Sequence, residues 1–324
     1  MRIFLTGGTG FIGGHVARKL RERGDDVVAL ARSPEKAAPL RELGAELVQG
    51  DLSHAEAIRR GLDGADAAIH AAAIYKVGVP KSEHEQMWRS NVEGTERVLD
   101  AAIAAGVGRI VYVSTANVFG NTRGQVVDEG YQRDEADGFV SYYDETKYRS
   151  HQIAKERIAA GAPIVIVQPG GVYGPDDHSE LGNQIEQMRE GKLRMKAFPE
   201  LGLNLVHVED VAKGVLLALD RGQIGESYVL GGELSTLGDV IDKVAAISGR
   251  KPPRVTLPPL LAKASAPLGP VIGPLMGYPP NMREAISVSH NVTYLASDDK
   301  ARRELGYSPR DLDTGLRQTL EASS

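Results

Sequence analysis

Five glycines stand within residues 7–14 of the opening run MRIFLTGGTGFIGGHVARKL. Glycine loses more conformational freedom on ordering than any other residue, so a cluster this dense marks a place where main chain must come close to something. The apolar run Arg2–Thr6 before it reads as a strand, and Phe11–Glu22 after it reads as an amphipathic helix. Gly7, Gly10 and Gly13 are spaced three apart across that junction. In a strand-to-helix turn the first glycine permits the tight turn. The second lets the backbone reach a pyrophosphate, and the third lets the helix pack on its strand. The helix N-terminus adds unpaired N–H groups and the positive end of its dipole. The turn therefore reads as the seat of a phosphorylated dinucleotide.

The alternation continues along the chain. Strand patterns cover Arg2–Thr6, Val27–Ala31, Glu46–Val48, Ala67–His70, Ile110–Ser114, Ile164–Gln168 and Ser227–Leu230. Helix patterns cover Phe11–Glu22, Pro34–Leu43, Ala55–Arg60, Ser82–Ala105, Ser141–Ala160 and Glu209–Leu219. Runs such as IVYV and IVIV lack polar alternation, as strands buried on both faces do. The expected fold is α/β of the Rossmann type, a doubly wound parallel sheet wrapped by helices. From about residue 172 Pro, Gly and loop signals interrupt the rhythm, with later helices expected at Thr236–Ser248 and Asp298–Leu305. Ser227–Leu230 reads as a strand returning to the main sheet. The reading therefore assigns residues 1–171 and 205–231 to a dinucleotide-binding domain, and 172–204 and 232–324 to a smaller interleaved α/β substrate domain. A ligand is expected where the carboxyl ends of the strands face that second domain.

A net charge of −5 gives no electrostatic reason to expect nucleic acid or a membrane surface as partner and reads as plain solubility; the ligand expected at the strand ends is a small-molecule substrate. There is no cysteine, which removes disulfides, thiolate metal sites and cysteine nucleophiles, and suits a cytoplasmic location. A strand starting by Ile3 is expected to leave no room for a leader. The apolar stretch LPPLLAKASAPLGPVIGPLM (257–276) holds five prolines and Lys263. Proline in a spanning helix frees backbone groups that lipid cannot satisfy, so no membrane span is expected. No His/Asp/Glu set has metal-ligand spacing such as HExxH, and no metal is expected.

TGGTGFIG is followed in order by GDL, HAAA, NVEGT, STANVFG, YDETK, PGGVYGP and HVEDVA, with SDDKARRELGYSP in the tail. In order and spacing this set resembles the extended short-chain dehydrogenase/reductase family (the NAD-dependent epimerase/dehydratase family) over nearly the whole chain. Its dihydroflavonol-reductase-like branch is the nearest in likeness. The GxxGxxG spacing, in place of GxGxxG, points away from simple two-domain dehydrogenases.

An acidic residue closing the second strand would bind the ribose 2′-hydroxyl of NAD. In VVALARSPEK that position holds Arg32, whose guanidinium suits the 2′-phosphate of NADP, with Lys36 following. NADPH is expected over NADH, with NAD as the alternative. The resemblance implies further cofactor contacts from Thr9, Phe11 and Ile12 beside Gly7, Gly10 and Gly13, and from Asp51 and Leu52 near the adenine. It adds Ala71, Ala72 and Ala73 after the fourth strand, Ser114, and Pro169, Gly170 and Val172 of PGGVYGP.

Tyr143 and Lys147 are four apart on a helix and share a face. A phenol titrates near ~10 in water, and a neighbouring ammonium favours the phenolate and lowers that value. Tyr142 and Tyr148 have Thr146 and Gln152 at the same offset, so Tyr143 alone of the three has a lysine partner. The resemblance implies that Tyr143 exchanges a proton with the substrate oxygen and that Lys147 also holds the nicotinamide ribose. Aligning VFG with the family's VYG makes Thr115 the third catalytic hydroxyl. Ser114 is the fallback, or else a backbone-capping hydroxyl. Asn91, His15 and His70 read as structural, and His207 and Asp210 as ordering a helix start. Tyr75, Phe119, Val172 and Tyr173 either line a pocket or close the core.

The expected activity is NADP(H)-dependent reduction of a ketone or aldehyde to an alcohol. The alternative is a nucleotide-sugar epimerase or dehydratase that retains NAD. A non-catalytic NAD(P) sensor is a third reading, opposed by the retained tyrosine–lysine pair. Leu203 and Gln168 stand where sugar-nucleotide members often carry arginine, which favours the reductase. The stretch 257–276 suggests a hydrophobic substrate, and equally a packing or subunit contact. Helices Ser82–Ala105 and Ser141–Ala160 match those through which relatives pair, which implies a homodimer.

Overall fold

The computed structural model describes residues 1–33, 35–256 and 281–322, so the apolar stretch 257–276 lies outside the described residues. Strands β1 (Arg2–Thr6), β2 (Asp26–Ala31), β3 (Glu46–Gln49), β4 (Ala67–His70), β5 (Arg109–Val113), β6 (Ile164–Pro169) and β9 (Ser227–Leu230) form one sheet. Its order is β3-β2-β1-β4-β5-β6-β9, and every pairing is parallel. The order reverses between β1 and β4, where Thr6 lies opposite His70. That reversal opens a crevice at the carboxyl ends of the strands.

Successive residues of a strand face opposite sides of a sheet, and both sides are apolar. Ile3, Leu5, Val111, Val113, Val165 and Val167 pack with α1 (Phe11–Glu22) and α8 (Val208–Arg221), through residues such as Leu20 and Val215. Phe4, Ile110, Tyr112, Ile164 and Ile166 pack with α3 (Ala55–Leu62), α5 (Gly94–Ala104) and α6 (Tyr142–Ala159). This two-sided burial is why IVYV and IVIV lack polar alternation.

A second sheet is built on β8 (Gly202–His207). β10 (Glu233–Thr236) pairs with it antiparallel, and β7 (Gly171–Tyr173) and β11 (Thr293–Tyr294) pair parallel. Helices α7 (Glu180–Glu190), α9 (Leu237–Ile247) and α11 (Leu312–Ala322) cover it through Ile185, Val240 and Leu316. The sequence reading did not place this sheet. Three of its strands are four residues or shorter. The fourth, β8, buries Asn204, whose amide donates to the Ala296 carbonyl and accepts from Gly232 N at 2.7 Å. That paired polar residue hides a core strand from a hydrophobic pattern.

Two helices also depart from expectation. The pattern over Pro34–Leu43 yields a short α2 (Ala38–Glu42). The long helix Ser82–Ala105 is interrupted: α4 (His84–Trp88) passes through a π-helical turn at Arg89–Glu93 into α5. Among the described residues no helix is long and apolar enough to cross a membrane.

Candidate active site

The chain leaves β1 at Gly7 with φ +79°, a left-handed conformation that a side chain would strain. A Cβ there would lie 2.6 Å from the backbone of Ala71 and Ala72, and one at Gly13 would lie 2.0 Å from the Gly7 oxygen. Gly10 is different: its amide donates to Gly7 O at 2.9 Å, and a Cβ on it would meet only that oxygen, at 3.2 Å. Gly10 caps α1 with no side-chain hydrogen bond, and among the described residues no side chain accepts from the first-turn amides. Gly7 and Gly13 thus serve the protein's own close packing, while exposed Gly10 leaves a bare edge with donors behind it. This cradle fits an anionic pyrophosphate. Thr9 is exposed, and Phe11 and Ile12 are half-buried beside it.

The other candidate contacts lie along the same edge. Arg32, just past β2, and Lys36 are exposed, and among the described residues neither has an ion-pair partner. Asp51 follows β3. Partial burial opposes its ionisation, but Ser53 and His54 (His54 Nδ1 at 2.8 Å) hold the carboxyl below its usual range. Leu52 packs against Gly94, where a Cβ would come within 2.8 Å of it. Ala71 N donates to Thr6 O at 3.2 Å, Ala72 is half-buried and Ala73 exposed. Pro169 ends β6, and Val172 lies half-buried in β7. Gly170 has a packing role, since a Cβ there would sit 2.1 Å from the Asn204 oxygen.

Tyr143 stands in the first turn of α6, whose N-cap Ser141 accepts from Asp144 N at 3.0 Å. Lys147 is buried one turn on, and its Nζ donates to Tyr112 Oη at 3.3 Å and to Val113 O at 3.1 Å. Thr115, two residues past the end of β5, caps the turn Ala116–Phe119 by accepting from Asn117 N at 3.2 Å. Burial pushes the Tyr143 phenol well above its ordinary value, and Tyr75, Asp144 and Tyr112 push the same way; the Thr115 hydroxyl opposes them through a hydrogen bond. This corrects the expectation that Lys147 depresses the phenol. In the protein alone the amine is engaged by Tyr112 and Val113, and desolvation of the phenolate outweighs it.

Ser114 Oγ lies 3.0 Å from Nδ1 of buried His151, which burial keeps neutral with a pKa of about 3. The capping role considered for Ser114 is therefore performed by Thr115. Tyr75 is 55% exposed and meets Tyr143 edge to face, with centroids 4.8 Å apart. Phe119 and Tyr173 are buried in apolar clusters and close the core. Asn91, in the π-helical turn, accepts from Ile74 N at 2.7 Å and donates to Ile74 O and Thr146 Oγ1, both at 3.0 Å. His70 bridges Thr6 and Thr95 at 2.6 and 3.0 Å, and burial lowers its pKa to about 3. His15 stands edge-on to Phe11. His207 caps α8 by accepting from Glu209 N at 3.3 Å, and Asp210 is clamped by Arg310 at 2.7 Å.

Three neighbours escaped the sequence reading. Tyr112 holds Lys147. Asp144 accepts from Asn117 Nδ2 at 2.9 Å and from Tyr294 Oη at 3.2 Å, and burial pushes it up to about 6. A carboxylate beside Tyr143 in YYDETK was the available signal for Asp144; nothing in the sequence marks Tyr294, which is 150 residues away. Among the described residues no cluster could hold a metal ion.

The family described as NAD dependent epimerase/dehydratase matches residues 3–231. A ketoreductase of Stigmatella aurantiaca, named for 4-hydroxy-2-methyl-3-oxo-4-farnesyl-3,4-dihydroquinoline-1-oxide, is 34% identical over 96% of this chain and 92% of its own. A dihydroflavonol 4-reductase-like protein of Synechocystis sp. is 34% identical over 97% of this chain and 92% of its own. Among solved structures, a double mutant of DesIV, the dTDP-glucose 4,6-dehydratase of Streptomyces venezuelae, with NAD and DAU bound, is similar at a TM-score of 0.80. It is 26% identical, and the match covers 99% of this chain and 96% of that one.

Proposed function

The chain belongs to the NAD-dependent epimerase/dehydratase family of extended short-chain dehydrogenases/reductases and is an NAD(P)-dependent oxidoreductase; from that premise we propose that it reduces a ketone or aldehyde to an alcohol with NADPH. The observation that carries this is the meeting of Tyr143, Lys147 and Thr115 at the carboxyl end of β5, on the sheet edge that bears the glycine turn. When bound, NADPH supplies hydride to the carbonyl carbon. Tyr143, protonated at neutral pH because its burial disfavours the phenolate, donates the proton that completes the hydroxyl. Thr115 donates a hydrogen bond to the same carbonyl oxygen. Lys147 would hold the ribose hydroxyls of the bound cofactor, and its charge would stabilise the phenolate until solvent returns the proton.

Two features favour this over nucleotide-sugar chemistry. Arg32 and Lys36 are exposed just past β2 and have no ion-pair partner among the described residues, which leaves both free to meet a 2′-phosphate. The charged groups acting on the Tyr75 hydroxyl beside Tyr143 are the carboxyls of Asp144, Asp177 and Glu180, poor company for a sugar diphosphate. The test starts with purified protein, examined by absorbance and mass for retained nucleotide and then assayed for NADPH oxidation with an aryl alkyl ketone and a 3-oxo ester. Nucleotide-free protein that oxidises NADPH only when ketone is added supports the reading. Retained NAD with no ketone-dependent oxidation replaces it with the epimerase or dehydratase.

A further inference from the structure

One short helix from late in the chain ties together the segments that meet at Tyr143. Helix α10 (Met282–Ser287) follows Asn281, whose side chain caps it. Asn281 N donates to Gly78 O at 3.0 Å, and Gly78 N donates back to Glu284 Oε1 at 3.3 Å. The same Oε1 accepts from Tyr142 N, the first residue of α6, at 3.2 Å. Asn281 Nδ2 donates to Glu284 Oε2 at 3.0 Å, and Ser287 Oγ donates to Val140 O at 2.6 Å. The strap 74–80 is held at one end by Asn91 at Ile74 and further along by α10 at Gly78, with Tyr75 between these points in sequence and against the Tyr143 ring. His84 stacks on Tyr142 at 3.7 Å.

A carboxylate at a helix N-terminus is favoured by the dipole and by orphan amides. Helix formation does not require this one, because Ser141 already caps α6. Its distinctive feature is that one oxygen joins two chain segments. We propose that Glu284 is a positioning residue: its carboxylate locks the strap 74–80 to the first residue of α6 and thereby sets the Tyr143 phenol against the substrate oxygen. The proposal rests on the reading of Tyr143 as proton donor.

The test compares Glu284→Ala, Glu284→Gln and Tyr143→Phe in the full chain, with NADPH and whichever ketone the wild type reduces. Glu284→Ala is expected to lower kcat by about 10-fold or more, as small misplacements of a reacting group do, while leaving the KM for NADPH unchanged. Glu284→Gln keeps an acceptor oxygen and is expected to restore most of the rate. Amide exchange, which needs no substrate, is expected to accelerate at Gly78 and Tyr142 in Glu284→Ala. Unchanged kcat, unchanged exchange, or equal damage from Ala and Gln would each overturn the proposal. Full activity in Tyr143→Phe would instead overturn the reading on which it rests.

Discussion

At Arg32 we propose that one guanidinium sets the choice of cofactor. It stands exposed beyond β2 with no acidic partner among the described residues, where an aspartate or glutamate would select NAD. Charge-assisted hydrogen bonds are worth about 1.5–3 kcal/mol, so Arg32→Ala is expected to raise the KM for NADPH by roughly 10- to 100-fold and leave that for NADH nearly unchanged. Equal effects on both would refute the 2′-phosphate assignment. Tyr143 teaches a different lesson. Its spacing from Lys147 was legible in the sequence, but its acidity was not, because it depends on burial and on Tyr75 and Tyr112, which come from two other stretches of chain, as well as on adjacent Asp144.

At the scale of elements, the β1–α1 junction is where local sequence decides most. Gly13 lets α1 lie against the turn it follows, and the space beside it is filled by backbone, which cannot swing aside as a side chain can. Gly13→Ala is therefore expected to displace the start of α1. Weakened NADPH binding would appear by fluorescence titration, together with a lowered melting temperature. A variant that binds and melts like wild type would mean that the junction is looser than its packing shows. The π-helical turn at Arg89–Glu93 lies at the opposite extreme: nothing in RSNVE breaks a helix pattern, and its role emerges only once Asn91 is seen to hold both backbone groups of Ile74. In the same way α10 gains meaning through contacts with Gly78 and Tyr142, more than 140 residues earlier.

Across the whole molecule the parallel sheet was readable because its strands are apolar on both faces and alternate with amphipathic helices. The second sheet was not, since its pairings join short strands from residues 171 to 294, and β8 carries Asn204 in its centre. We propose that residues 172–204 and 232–324 act as the substrate-binding unit, with β8 crossing the 204/205 boundary and so joining it to the cofactor-binding part. The account as a whole turns on the phenol of Tyr143. The most direct measurement is the rate of NADPH-dependent ketone reduction by Tyr143→Phe, with NADPH binding measured alongside. Loss of a positioned proton donor predicts a fall of about 10²- to 10⁴-fold in kcat with cofactor binding retained; a rate equal to that of the wild type would contradict the account.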